Sequence, residues 1–443
     1  MTTCIYNATM INEGELEQAS VLIAGNRIRK ILPGNSEIQA DVTIDATDKY
    51  LMPGIIDSHV HFRQPGMEHK ADIASESRAA AAGGITSYME MPNTNPATTT
   101  MEQLSEKQKI AAKDSLINYA FYLGATPGNI RDIELLDPAQ VAGVKVFMGA
   151  STGNLLIKNK NLLERIFKAS PVLIVTHCED DDIILANLKM FTDKYGDEIP
   201  VKYHPVIRSA EACYASSSQA VELAEKHNAN LHVLHLSTKK ELELFEPAPV
   251  DNKKITAEAC VHHLWFSDAD YAKQGTHIKW NPAIKTQEDR NALYGGLITK
   301  RLDIISTDHA PHLLQEKLNP YTKAPSGGPM VQHSLLTMLE LSTQGIISLT
   351  DIVEKMAHNP ATRYQVEKRG FIREGYYADL VLVNPMKSHK VTKDNLRYKC
   401  KWSPFEEQTF RHSINKTMVN GKIVFDGENI VDMQAAMPLK FER

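Results

Sequence analysis

Eight apolar runs of strand length, most of them separated by helix-forming text, constrain this chain more than any other feature. They read "GIIDSHVHF", "GITSYMEMPN", "INYAFYLGA", "VAGVKVFMGA", "VLIVTHCED", "NLHVLHLST", "KITAEACVHH" and "LDIISTDHAPH". Stretches such as "KADIASESRAAAAGG" and "SSSQAVELAEKHN" lie between them, rich in Ala, Glu and Lys, residues with high helix propensity. Strand then helix, repeated to a count of eight, predicts an α/β fold built as a (β/α)8 TIM barrel. An open doubly wound sheet is the alternative, but no GxGxxG follows the first run, and that fold's dinucleotide fingerprint would stand there.

Both ends of the chain differ from its middle. Residues 1–50 carry short β-branched runs with Gly25-Asn26 as a hairpin signal. The same character returns in "YYADLVLVNP" and in "NKTMVNGKIVFDGE", which is broken by Asn420-Gly421. The expected organisation is a barrel domain over residues 53–367 and a small β-sandwich domain formed by both termini, residues 1–52 and 368–443.

Bulk properties narrow the partners. The 443 residues include 49 basic and 54 acidic side chains, a formal charge of −5, with no basic run; nucleic acid is not an expected partner. No apolar run approaches a membrane span. The N-terminal text lacks a signal-peptide pattern. Five scattered cysteines without a CxxC fit reduced thiols in the cytoplasm.

The ends of the eight runs carry the chemistry. A barrel builds its active site at the C-terminal ends of its strands. Run one ends in His59 and His61, run five in His177, run six in His235 and run eight in Asp308; run four carries Lys145. Imidazole with carboxylate is the donor set that zinc takes. Lys145 cannot bind a cation as an ammonium, and within "GVKVF" an unpaired charge would be costly. As a carbamate, formed by capture of carbon dioxide, it could bridge two metals. His309 and His232 are expected to point away from the site by strand alternation, and His262-His263 could orient a ligand.

These motifs together, "DSHVHFRQPGMEHKADI", "GGITSYMEMPNT", "THCED", "HVLHLST", "KWNPAIKTQEDR" and "STDHAPH", resemble the amidohydrolase superfamily. The likeness is to its cyclic-amidase branch, which contains dihydroorotases, allantoinases and dihydropyrimidinases, and it spans nearly the whole chain. Arg63, two residues after the second histidine, and Asn93 in Met-Pro-Asn resemble the dihydroorotase pattern. A guanidinium there would grip the free carboxylate of dihydroorotate; hydantoins and allantoin have none.

The resemblance implies His59, His61 and Asp308 on one Zn2+ and His177 with His235 on a second, with carboxylated Lys145 between them. It implies substrate contacts from Arg63, Asn93 and His312, from Asn281 to the ring, and from the loop residues Ser326 and Gly327. The implied activity is the reversible cyclisation of N-carbamoyl-L-aspartate to dihydroorotate in pyrimidine biosynthesis. The resemblance implies that a metal-activated hydroxide would attack the ring amide and that Asp308 would shuttle the proton. A hydantoinase or allantoinase activity is the alternative, and a homo-oligomer is a family expectation. Many related bacterial dihydroorotases place an aspartate after strand four; here Gly149 and Ala150 stand there, which favours the lysine bridge. The segment Leu313 to Pro329 reads as a mobile lid.

Overall fold

The fold follows from a computed structural model that describes residues 1–36, 38–149 and 155–443. The eight runs become eight parallel strands: β1 (Ile55–Val60), β2 (Ile85–Glu90), β3 (Asn118–Gly124), β4 (Gly143–Phe147), β5 (Ile174–His177), β6 (Leu231–Val233), β7 (Ile255–Cys260) and β8 (Ile304–Ser306). They hydrogen-bond in sequence order. A bridge between Val60 and His309 and a 2.7 Å bond from His61 N to His309 O bring β8 back to β1. This is the (β/α)8 barrel. Helices cover the outside of the barrel and side chains fill its inside, so the strands are covered on both faces, unlike the strands of a half-solvated sheet. Residues of β1, β2 and β3 are buried without exception.

The connecting helices are capped as their sequences dictate. Asp72 accepts from Ser75 N at 2.7 Å to open the helix Ile73–Ala82, and Thr100 with Gln103 forms the same reciprocal box before Met101–Asp114. The helix Ala210–His227 starts on Ser209 and stops at Asn228, where φ reaches 54°.

Strands from both termini build a second eight-stranded sheet. Tyr50–Pro53 joins the two ends by pairing antiparallel with Leu380–Asn384. The Asn420-Gly421 turn, with φ of 50° and 76°, closes the hairpin of Ser413–Val419 with Lys422–Phe425. Ile5, Val21, Leu51, Leu382 and Met418 form this sheet's own apolar cluster. All five cysteines are buried and unpaired. Among the described residues no helix is long and apolar enough to cross a membrane.

Candidate metal centre and active site

Because the barrel strands are parallel, their C-terminal ends open on one pole, where a cavity of about 340 Å3 lies. All twelve residues singled out in the sequence line it: His59, His61, Arg63, Asn93, Lys145, His177, His235, Asn281, Asp308, His312, Ser326 and Gly327. Two sub-clusters stand out. Asp308 Oδ1 lies 3.2 Å from His59 Nε2 and 3.1 Å from His61 Nε2; one donor atom from each of the three residues falls within 4.8 Å of the others. Beside them, with the His235 ring 5.2 Å from that of His59, His177 Nδ1 and His235 Nε2 face each other at 2.9 Å.

The backbone is bent to aim these groups. His235 and Asp308 each sit two residues beyond a strand with φ of 41° and 44°, and Arg63 has φ of 70°. Left-handed backbone is uncommon outside glycine and gathers at functional sites. The second nitrogens of His59, His61 and His177 are also held, whereas His235 Nδ1 is buried with no partner among the described residues. Glu258, on β7, takes His59 Nδ1 at 2.6 Å. Asn93 Oδ1 takes His61 Nδ1 at 2.7 Å. Glu179 Oε2 meets His177 Nε2 at 2.9 Å and is itself gripped by Arg208, with Nη2 at 2.6 Å. Such outer contacts fix ring orientation and tautomer.

Electrostatics divide the histidines. Burial pushes His61 down to about 4 and holds His177 and His235 below their ordinary range. Burial would also depress His59, but the Asp308 and Glu258 carboxylates outweigh it and raise His59 to about 9. Asp308 is held anionic against burial by His59 and His61. Lys145 is fully buried, and desolvation pushes its amine down to about 7. Its Nζ lies 4.5 Å over the Phe147 ring, and among the described residues it pairs with no carboxylate.

A cationic corner forms one wall. Arg63 Nε donates to Pro311 O at 3.1 Å, and its Nη2 lies 3.1 Å from His312 Nε2. Lys70 Nζ lies 3.1 Å from His312 Nδ1. The adjacent loop differs from the expected mobile lid, because two buried lysines pin it. Lys317 Nζ donates to Pro325 O and Gly327 O, each at 2.8 Å. Lys279 Nζ donates to Tyr321 O at 2.7 Å and Ala324 O at 2.6 Å. Gly327 has φ of 117° and a Cβ there would meet Ala310 O at 2.6 Å, so its glycine serves a close approach.

Several groups escaped the sequence. Glu258 interrupts the apolar run "ITAEAC", an isolated acid that could have flagged it. His232 does not turn away from the site's framework: its Nε2 reaches Glu258 Oε2 at 3.2 Å, the carboxylate that holds His59. Strand alternation failed as a guide because β6 ends at Val233 and the chain turns left-handed at His235. His309 does point elsewhere, its Nδ1 accepting from Met330 N at 2.9 Å. His262 stacks on Trp280 and His263 Nε2 reaches Pro282 O at 3.1 Å. These two also group with Cys260 as possible ligands, but burial keeps that thiol protonated, a poor metal donor. Ala150 lies outside the described residues.

A barrel of this topology with imidazoles and a carboxylate gathered at its C-terminal pole offers the donor set of a metal site where such barrels do their chemistry. The amidohydrolase family model matches residues 50–424, and the chain belongs to that family. Among curated proteins it is similar to the dihydroorotase of Halobacterium salinarum, 34% identical over 92% of this chain and 96% of that one. It is also similar to the dihydroorotase of Staphylococcus epidermidis, 31% identical over 96% and 99%. Among solved structures it resembles the L-hydantoinase (dihydropyrimidinase) of Arthrobacter aurescens, with a TM-score of 0.93, 26% identity and 99% of both chains covered. The dihydropyrimidinase of Brevibacillus agri shares the fold, with a TM-score of 0.89 at 24% identity. The chain is therefore similar to cyclic amide hydrolases by sequence and by fold.

Proposed function

We propose that this chain is a zinc-dependent dihydroorotase that interconverts N-carbamoyl-L-aspartate and (S)-dihydroorotate plus water. One observation carries the choice of substrate: a buried guanidinium, Arg63, stands with His312 in the wall of the cavity that holds the histidine cluster. A guanidinium in a partly dry wall is suited to an anion, and dihydroorotate is a cyclic amide that carries one. The dihydroorotases of similar sequence support the same reading.

The donor set suits zinc. Neutral imidazoles at His61, His177 and His235 and an anionic Asp308 are the protonation states a zinc site needs, whereas His59, raised to about 9 by Asp308 and Glu258, would have to release its proton as the ion binds. His59, His61 and Asp308 would hold one ion and His177 with His235 the other, and Lys145 as a carbamate would join them. When bound, zinc supplies the Lewis acidity that activates water and polarises a carbonyl near neutral pH.

The chain's own residues do the remaining work. Arg63, His312 and the Asn93 amide hold the substrate carboxylate and so set the ring's orientation. Asn281 Oδ1 is buried without a partner among the described residues, which suits it to accept from a ring N–H. An Asp308 carboxylate oxygen takes the proton released in the attack and delivers it to the leaving ring nitrogen. The loop backbone at Ser326 and Gly327 closes the cavity against bulk water.

The solved relatives named hydantoinase favour a second reading, in which the substrate is a neutral ring. A side-by-side hydrolysis assay on dihydroorotate, hydantoin and allantoin separates the two. Dihydroorotate should turn over fastest; a preference for hydantoin or allantoin would transfer the assignment.

A further inference from the structure

We propose that Lys70 is a positioning residue that locks His312 in the tautomer with its proton on Nε2, so that the imidazole donates toward the substrate's carboxylate. This rests on the dihydroorotase reading for its functional consequence, though not for its structural content.

A neutral imidazole has one donor and one acceptor nitrogen, and its neighbours decide which is which. An ammonium can only donate, and Lys70 Nζ lies 3.1 Å from Nδ1. Glu316 Oε1 holds that ammonium at 3.0 Å. The other oxygen of Glu316 lies 3.7 Å from Nδ1, beyond hydrogen-bonding range. Nδ1 therefore accepts, and the proton sits on Nε2. Burial and the neighbouring cations Arg63, Lys70 and Lys317 outweigh the Glu316 carboxylate, which favours a charged ring, and keep the imidazole neutral, pushed down to about 3.

The consequence lies on the cavity side. Nε2 faces Ser326 O at 3.1 Å, which can accept its proton, and Arg63 Nη2 at 3.1 Å, which cannot. Two N–H groups are thus crowded together at the wall. An anionic oxygen placed between them would accept from both. Without Lys70 nothing holds Nδ1 as an acceptor, and the proton could move there, leaving Nε2 to accept from Arg63. The corner would then satisfy itself and present a lone pair to the incoming carboxylate. Lys70 keeps Nε2 a donor, so that an incoming carboxylate can take its hydrogen bond over from Ser326 O.

Nitrogen-15 NMR of histidine-labelled protein tests the lock, with the His312 signals identified by their loss in His312→Gln. The wild type should show an acceptor-type Nδ1 and a protonated Nε2. Lys70→Met should exchange them, while Lys70→Arg, which still donates, should retain the wild-type pattern. In parallel, Lys70→Met should raise KM for dihydroorotate by about 10- to 100-fold, the worth of one charge-assisted hydrogen bond, with kcat within about threefold, and Lys70→Arg should recover most of it. A protonated Nδ1 in the wild type overturns the proposal even if Lys70→Met does not fold. So does a Lys70→Met protein whose nitrogen pattern and KM match the wild type. If the wild type fails to turn over dihydroorotate, the functional reading falls while the nitrogen pattern still decides the lock.

Discussion

Replacing Arg63 with methionine isolates the group on which substrate choice rests. The guanidinium is 7% exposed, its Nε committed to Pro311 O and its Nη2 turned to the cavity beside His312. Methionine fills much of the same volume without a donor, so lost packing is a small part of the effect. A charge-assisted hydrogen bond contributes about 1.5–3 kcal/mol, and a bidentate grip on a carboxylate uses two of them. Not all of that is lost, because His312 and Asn93 still reach the carboxylate; about 3–4 kcal/mol is the expected cost. At about 1.4 kcal/mol per factor of ten, kcat/KM for dihydroorotate should fall about 100- to 1000-fold. Dihydrouracil, the same ring without a carboxylate, should lose less than about threefold, since Arg63 has nothing on it to hold. Steady-state kinetics of wild type and Arg63→Met on both rings make the comparison. An equal loss on both would mean that Arg63 supports the fold of the cavity rather than recognising an anion, and the substrate argument would fail.

Three further outcomes follow from the geometry. Glu258→Gln weakens the support of His59 Nδ1 and of His232; zinc affinity, measured by competition with a chromogenic chelator, should fall about tenfold. Lys317→Met leaves Pro325 O and Gly327 O without their donor, so limited proteolysis should cut the chain between residues 318 and 328 faster than in the wild type; an unchanged rate would refute the pinned loop. Metal-free protein should lose stability as pH falls from about 6.5 towards 4. Burial depresses His61, His263, His312 and His333 in the folded chain, to between about 3 and 4, so only the unfolded chain takes up protons there. Each group contributes a slope of about 1.4 kcal/mol per pH unit. His59, raised to about 9, is protonated in both states below 6.5 and adds no slope in that window. Urea midpoints at pH 7 and pH 5 measure it.

The barrel was legible because its constraint is local and repeated. Each strand is one apolar run, so eight runs could be counted without knowing what packs on what. The cluster was legible for a related reason: parallel strands bring their C-terminal ends to one pole, so His59, His177, His235 and Asp308 could be placed by strand position alone. What stayed hidden comes from groups that meet across long stretches of chain. Glu258 lies 199 residues from His59, and Lys70 lies 242 from His312; neither carries a spacing that a motif could record. Lys279 and Lys317 likewise belong to no such spacing, and the Pro- and Gly-rich text around Lys317 suggested mobility. Their burial under carbonyl groups is a product of the folded loop. Strand alternation placed His309 rightly and His232 wrongly, since it holds only while the backbone stays extended.

The claim beneath all of this is that imidazoles, an acid and a buried amine on separate barrel strands converge to hold metal. Elemental analysis of freshly purified protein tests it directly, with zinc counted per chain in the wild type and in a His177→Ala, His235→Ala double variant. Wild-type protein should carry about two zinc ions per chain, the stoichiometry of a two-metal hydrolytic site, and the variant should lose about one. Wild-type protein with no stoichiometric metal, or a variant that retains the full complement, would contradict it.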